Sequence, residues 1–272
     1  AQDATALEAA ARLEWGQAVW RQGAFGSAQV QFERALRAAR ATRATRKEAE
    51  SLRSLGVLCF DQGDYARAWG YYERALALCQ ASGDLREEGA LQNNLGLLLW
   101  QQGKRSDARV FLEQALARCR EMGDRHTEGL ILHNLGRLLL QEGEYRPARD
   151  YLQQALELNR EMGHRIHEGW GLLNLGRTAM GQDDCFQAQR YCEQALRIFG
   201  EIKARQGEAL ALVNLGGIAR QLGQYTEATL CLEQALRIAR EIGDRQGESW
   251  ALRFLGETFA DQGAYGRARA CL

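Results

Sequence analysis

The sequence predicts an all-α chain built as an array of antiparallel helix pairs, and three observations predict it. Gly16, Gly56, Gly96, Gly136, Gly176, Gly216 and Gly256 stand 40 positions apart without a slip, and each from Gly56 onward follows a leucine. A second column, Ala28, Ala68, Ala108, Ala148, Ala188, Ala228 and Ala268, keeps the same step, as do Ala-Leu pairs from Ala35-Leu36 to Ala235-Leu236. A fixed period of this size means one supersecondary unit copied along the chain. The third observation is a single proline among abundant Ala, Leu, Gln, Glu and Arg, a composition that favours helix.

The copies begin near residues 9, 49, 89, 129, 169 and 209, with a partial seventh from about 249, so one array fills residues 1–272. In the first copy Arg12 replaces a large apolar residue and Trp15 takes the core leucine register, which makes Trp15 structural. The second copy shows the logic in full. Leu52, Leu55, Gly56 and Cys59 fall on one helical face, the first helix of the pair, helix A, ends at Gly63, and Asp64 caps helix B. Helix B carries Tyr65, Ala68, Tyr72, Ala75 and Leu76 on its apolar stripe and stops at Gly83. Gly83-Asp84, Gly123-Asp124 and Gly243-Asp244 combine a helix stop with the next N-cap, and Glu87, Glu88, Glu128 and Glu248 follow in the first turn, where the helix dipole favours them.

The third copy departs at Gln92, which replaces the first large apolar residue. In the fifth, Asp183 stands where the turn glycine is expected, and Lys203-Ala204 replaces Gly-Asp at the next junction. Copy five and its junction to copy six are therefore expected to be the least regular part. The seventh copy stops before its Ala-Leu pair, which reads as a fragment of a longer array or an array with a disordered end.

Lys plus Arg (35) balances Asp plus Glu (35), so no net field draws the molecule to nucleic acid or to an anionic membrane. The run Leu95 to Trp100 is too short to span a bilayer, and the start of the chain, with Asp3 and Glu8, has no apolar signal segment. The seven cysteines form no C-x-x-C and occupy positions where other copies carry Leu, Ala or Tyr. They read as small buried hydrophobes in a reducing, cytoplasmic compartment.

Leu52-x2-Leu55-Gly56-x2-Cys59 followed by Ala68-x3-Tyr72 and Ala75, repeated comparably in every copy, resembles the tetratricopeptide repeat over essentially the whole chain. The period is 40 rather than 34, and a Gly-Asp-Arg-like junction replaces the terminal proline. This longer variety is similar to the repeats of LGN/Pins-type polarity adaptors and to the helical arms of bacterial signal-transducing ATPases and regulators. The resemblance implies a right-handed superhelical α-solenoid whose A helices line a concave groove for extended peptides.

Carried onto this sequence, the groove register holds Asn94, Asn134, Asn174 and Asn214, broken at its ends by Glu14, Ser54 and Phe254. An asparagine ladder can hold a peptide backbone through paired donors and acceptors, or can bond within and between repeats; both readings stay open. Arg137 and Arg177 form a matched pair three positions on, and Arg53, His133, Arg220 and Arg253 project near the same surface. These give a basic groove for carboxylates, with solvated arginine as the alternative. Trp20, Trp100, Trp170 and Trp250 are candidate anchors or inter-repeat packing.

The clamp by which chaperone-binding members of the family hold a C-terminal carboxylate needs Lys and Asn beside the ladder. Those places hold mostly Val57, Leu97, Gly217, Leu173 and Val213, which argues against such a tail as the ligand. His164-x-x-His167 lacks a completing ligand, and no phosphate loop or nucleophile motif occurs, so no metal, cofactor or catalysis is expected. The leading function is a scaffold for a protein partner, an extended or partly helical acidic segment. Alternatives are the sensor or oligomerisation arm of a larger STAND-type ATPase or transcription regulator, and self-association through the uncapped last copy.

Overall fold

The computed structural model describes the backbone of residues 2–271 and the side chains of residues 7–271. The described residues form fourteen helices and no strand, paired as the sequence predicts. The A helices are α1 (Gln2–Arg21), α3 (Thr45–Asp61), α5 (Leu85–Gln101), α7 (Arg125–Glu142), α9 (Arg165–Gly181), α11 (Arg205–Gln221) and α13 (Arg245–Asp261). The B helices are α2 (Phe25–Ala41), α4 (Tyr65–Ser82), α6 (Arg105–Met122), α8 (Tyr145–Glu161), α10 (Cys185–Glu201), α12 (Tyr225–Ile242) and α14 (Tyr265–Ala270). Contacts group the chain into two compact units, residues 1–134 and 135–272, with the division inside α7.

The turns are more regular than the 40-residue step implies. A residue with positive φ recurs every 20 positions from Gly23 to Gly263, alternating between the turn inside a pair and the junction between pairs. Ten of these residues are glycine; the others are Arg43, Asp183 and Lys203, with φ of 54°, 60° and 56°. Copy five is thus no less regular than the rest: α9, α10 and α11 each run 17 residues. The packed helices on either side dictate the left-handed turn, and Asp183 and Lys203 accept it. The capping aspartates act as read: Asp64 accepts from the Arg67 N–H, Asp84 from Glu87, Asp124 from Thr127, and Asp244 from Gln246 and Gly247.

In the first unit one core runs from Leu13 through Leu52, Leu55, Tyr72 and Cys79 to Leu91, Leu95 and Leu98. In the second, Leu152, Leu172, Leu175, Cys192 and Phe199 anchor a core that smaller clusters around Leu212 and Leu232 continue. The glycine column lies where the B helix crosses. A β-carbon at Gly96 would lie 2.8 Å from Leu112 and 3.2 Å from the Ala108 carbonyl, so side chain and backbone both occupy the space. Each A helix also touches the next A helix within its unit, α1 with α3, α3 with α5, α9 with α11 and α11 with α13. Trp15 departs from expectation: it is 56% exposed, whereas Leu55 at its register is 1% exposed.

Arginine–glutamate pairs span the junctions. Arg40 meets Glu48 at 2.8 Å, Arg120 meets Glu128 at 2.9 Å, Arg160 meets Glu168 at 2.9 Å and Arg240 meets Glu248 at 2.7 Å. Each joins the last turn of a B helix to the first turn of the next A helix, placing cation and anion where the two helix dipoles favour them.

Candidate functional site

The A-helix surface follows from the leucine pattern. Leu91, Leu95, Leu98 and Leu99 turn α5 towards the core, which leaves Asn94 and Trp100 half-buried beside them. In the first unit Asn134 Nδ2 donates to Asn93 Oδ1 at 3.0 Å, and Asn93 Nδ2 lies 3.5 Å from Asn94 Oδ1. The two ladder members are linked through Asn93, a residue the sequence reading missed. Its signal was the Asn93-Asn94 doublet at a register where other copies carry Arg53, His133, Leu173, Val213 and Arg253. His133 is half-buried there. Arg53 is ion-paired with Glu87 rather than held open, and Trp20 donates its indole N–H to Asp61 at 2.7 Å.

The second unit treats its asparagines differently. Asn174 is 7% exposed and donates Nδ2 to the Trp170 carbonyl of its own helix at 3.1 Å. Asn214 holds a buried Nδ2 with no partner. Trp170 packs against Phe199 with ring centroids 5.1 Å apart, which gives it a structural role. Trp250, by contrast, is exposed.

The arginines separate into two groups. Arg220 pairs with Asp261 at 2.8 Å and Glu257 at 2.9 Å, and Arg253 lies 3.3 Å from Glu257 with its guanidinium 4.4 Å from the centre of the Phe254 ring. Arg137 and Arg177 reach solvent, yet partial desolvation pushes the pKa of each below its ordinary value, and for Arg137 the charge of Arg177 adds to the shift. Two like charges held in such surroundings favour an anion beside them.

Burial pushes the thiols of Cys79 and Cys192 up to about 12 and that of Cys119 up to about 11, far from the reactive thiolate range. The His164 and His167 rings lie 6.1 Å apart, and among the described residues no three His, Cys, Asp or Glu side chains gather to hold a metal ion. No described helix is long and apolar enough to cross a membrane. What the A helices offer within each unit is amide and guanidinium donors.

A family model described as tetratricopeptide repeat matches residues 7–81, 87–161, 168–241 and 207–272. Among solved structures, the chain is similar to the apo form of RapI, with 15% identity and a TM-score of 0.79 over 97% of this chain and 94% of that one. It is similar to a Signal Transduction ATPase with Numerous Domains from Pyrococcus horikoshii that carries a tetratricopeptide repeat sensor, with 17% identity and a TM-score of 0.77. That match covers 96% of this chain and 41% of the ATPase. A Rap protein complexed with Competence and Sporulation Factor matches with 15% identity and a TM-score of 0.65, over 98% of this chain and 96% of that one. At these identities the likeness is one of fold. No curated protein sequence matches the chain.

Proposed function

Because the chain belongs to the tetratricopeptide-repeat family, we propose that it is a non-catalytic scaffold that holds an extended or partly helical acidic segment of a protein partner on its A-helix surface. The observation that carries this reading is the juxtaposition of Arg137 and Arg177. Arg177 forms no ion pair among the described residues, and partial desolvation lowers the pKa of both guanidiniums, so a carboxylate bound beside them is favoured. Asn174 and Asn214, in the same unit as the two arginines, supply backbone contacts. The likeness to a Rap protein complexed with Competence and Sporulation Factor supports a bound second molecule on this fold. The cytoplasm, where free thiols persist, is the setting this reading implies.

Replacing Asn134, Asn174, Arg137 and Arg177 together with alanine is expected to abolish capture of the partner mapped by pull-down and peptide array, with helicity by circular dichroism unchanged. Unchanged affinity would sink the reading. A second reading, the sensor arm of a larger ATPase, is favoured by the likeness to the Pyrococcus protein's repeat sensor. A full-length gene lacking any nucleotide-binding segment would remove it.

A further inference from the structure

The 40-residue ruler breaks twice around one recess in the second unit. Where the B helix presses on the glycine column, other copies carry Phe32, Tyr72, Leu112, Leu152 and Leu232, and the fifth carries the smaller Cys192. One residue beyond the same column stand Val57, Leu97, Arg137 and Arg177, and in the sixth copy Gly217. Cys192 and Gly217 both line a recess of about 220 Å³, closed by Met180, Val213 and Phe254 and edged by Arg177. The register-equivalent space in the first unit, between Trp20, Phe32, Arg53 and Val57, is about 170 Å³. A second recess of about 250 Å³ adjoins the first, sharing Arg177, Val213, Asn214 and Phe254 and adding Trp250.

The unpaired buried polar atoms here are both donors. Asn214 Nδ2 and Arg220 Nε are buried without a hydrogen bond, and Arg177 has no carboxylate partner among the described residues. No Asp or Glu lines either recess. A buried donor is stabilised by an acceptor, and a carboxylate is the acceptor that Asn214 Nδ2 and the Arg177 guanidinium could share. An apolar side chain would leave Asn214 unpaired, and a cationic one would meet Arg177 and Arg253. Each recess is smaller than the roughly 300–1,000 Å³ typical of small-molecule sites, a size that suits one side chain.

We propose that this recess is the subsite for a glutamate side chain of the bound segment, its methylenes against Met180, Val213 and Phe254 and its carboxylate accepting from Arg177 and Asn214 Nδ2. The inference rests on the reading that the A-helix surface holds an acidic segment, and it places that segment's anchoring charge in the second unit.

The test uses the isotopically labelled full chain and three probes, the N-acetyl N-methylamides of glutamate, glutamine and leucine. Titration is followed by nuclear magnetic resonance at the Asn214 side-chain amide and the Arg177 Nε–H. The glutamate probe is expected to shift both signals, and the glutamine and leucine probes to bind at least about tenfold more weakly, because the charge-assisted bonds are lost. Gly217→Leu, which places in α11 the residue that α5 carries at Leu97, fills the recess and should abolish the response. Arg177→Gln, at an exposed position, should weaken it by at least about tenfold without depending on how the recess repacks. Equal responses to glutamate and glutamine, or a glutamate response unchanged in both variants, overturns the proposal. A partner peptide lost in the fourfold alanine variant but indifferent to Gly217→Leu keeps the groove and discards the subsite. A glutamate response in a protein whose fourfold variant still captures its partner leaves the recess a carboxylate site and overturns its assignment to the bound segment.

Discussion

Gly56 and Gly256 hold the same place in the ruler and differ in what surrounds them. A β-carbon at Gly56 would lie 2.3 Å from the Tyr72 ring, which is 2% exposed and has nowhere to go. At Gly256 the nearest atoms, the Ala268 carbonyl and Cys271 Cβ, are 3.5 Å away, an ordinary contact. Gly56→Ala is therefore expected to destabilise by about 1–3 kcal/mol through overpacking. Gly256→Ala should stabilise by roughly 0.5–1 kcal/mol, since alanine costs less backbone entropy in a helix. Urea denaturation midpoints of the two variants check both signs. The sequence shows that a small residue recurs, because recurrence is a property of spacing; it does not show which copies need it, because that depends on the opposing side chain. The asparagine ladder has the same limit. Asn134, Asn174 and Asn214 share one register, yet one bonds a neighbouring asparagine, one its own helix, and one leaves its buried amide nitrogen unpaired.

Helix ends were more legible, because caps are written in the residues that form them. Gly83-Asp84 and Gly243-Asp244 are read correctly from sequence: each glycine is left-handed, with φ of 70° and 69°, and each aspartate accepts the backbone bonds of the following helix. The junction ion pairs were not legible, since Arg and Glu eight apart are common in any charged helix and only the turn between them brings them together. The column of such arginines lapses at Gln80 and at Gly200, and Gly200 is exposed with open space around it. Gly200→Arg is expected to stabilise by about 1 kcal/mol, most of it from removing a helical glycine and a few tenths from pairing near Glu208. Gly200→Ala, measured alongside by thermal unfolding, should recover most of the gain; an arginine gain no larger than alanine's would remove the ion pair from the account.

Across the whole molecule, buried thiols tie stability to alkaline pH. The thiols of Cys79, Cys119 and Cys192 are raised from 9.0 to about 12, about 11 and about 12, with burial the largest cause in each. The folded state keeps a proton that the unfolded chain releases above about pH 9, so the stability they contribute is complete below that pH and lost as pH climbs towards 12. With reductant present, the urea midpoint should fall between pH 8 and pH 10.5, and fall less in a variant with all three replaced by alanine. The division into two compact units left no mark in the sequence, because the ruler runs through α7 at an unchanged step. The turns that recur every 20 residues bear on how such a chain can change length. Residues 84–123 begin with a capping aspartate after a left-handed glycine and end on another left-handed glycine before another capping aspartate. Excising them rejoins Gly83 to Asp124 through the same chemistry, so copies are interchangeable parts, and recombination between them can lengthen, shorten or reorder the array in whole steps while every splice remains a working turn.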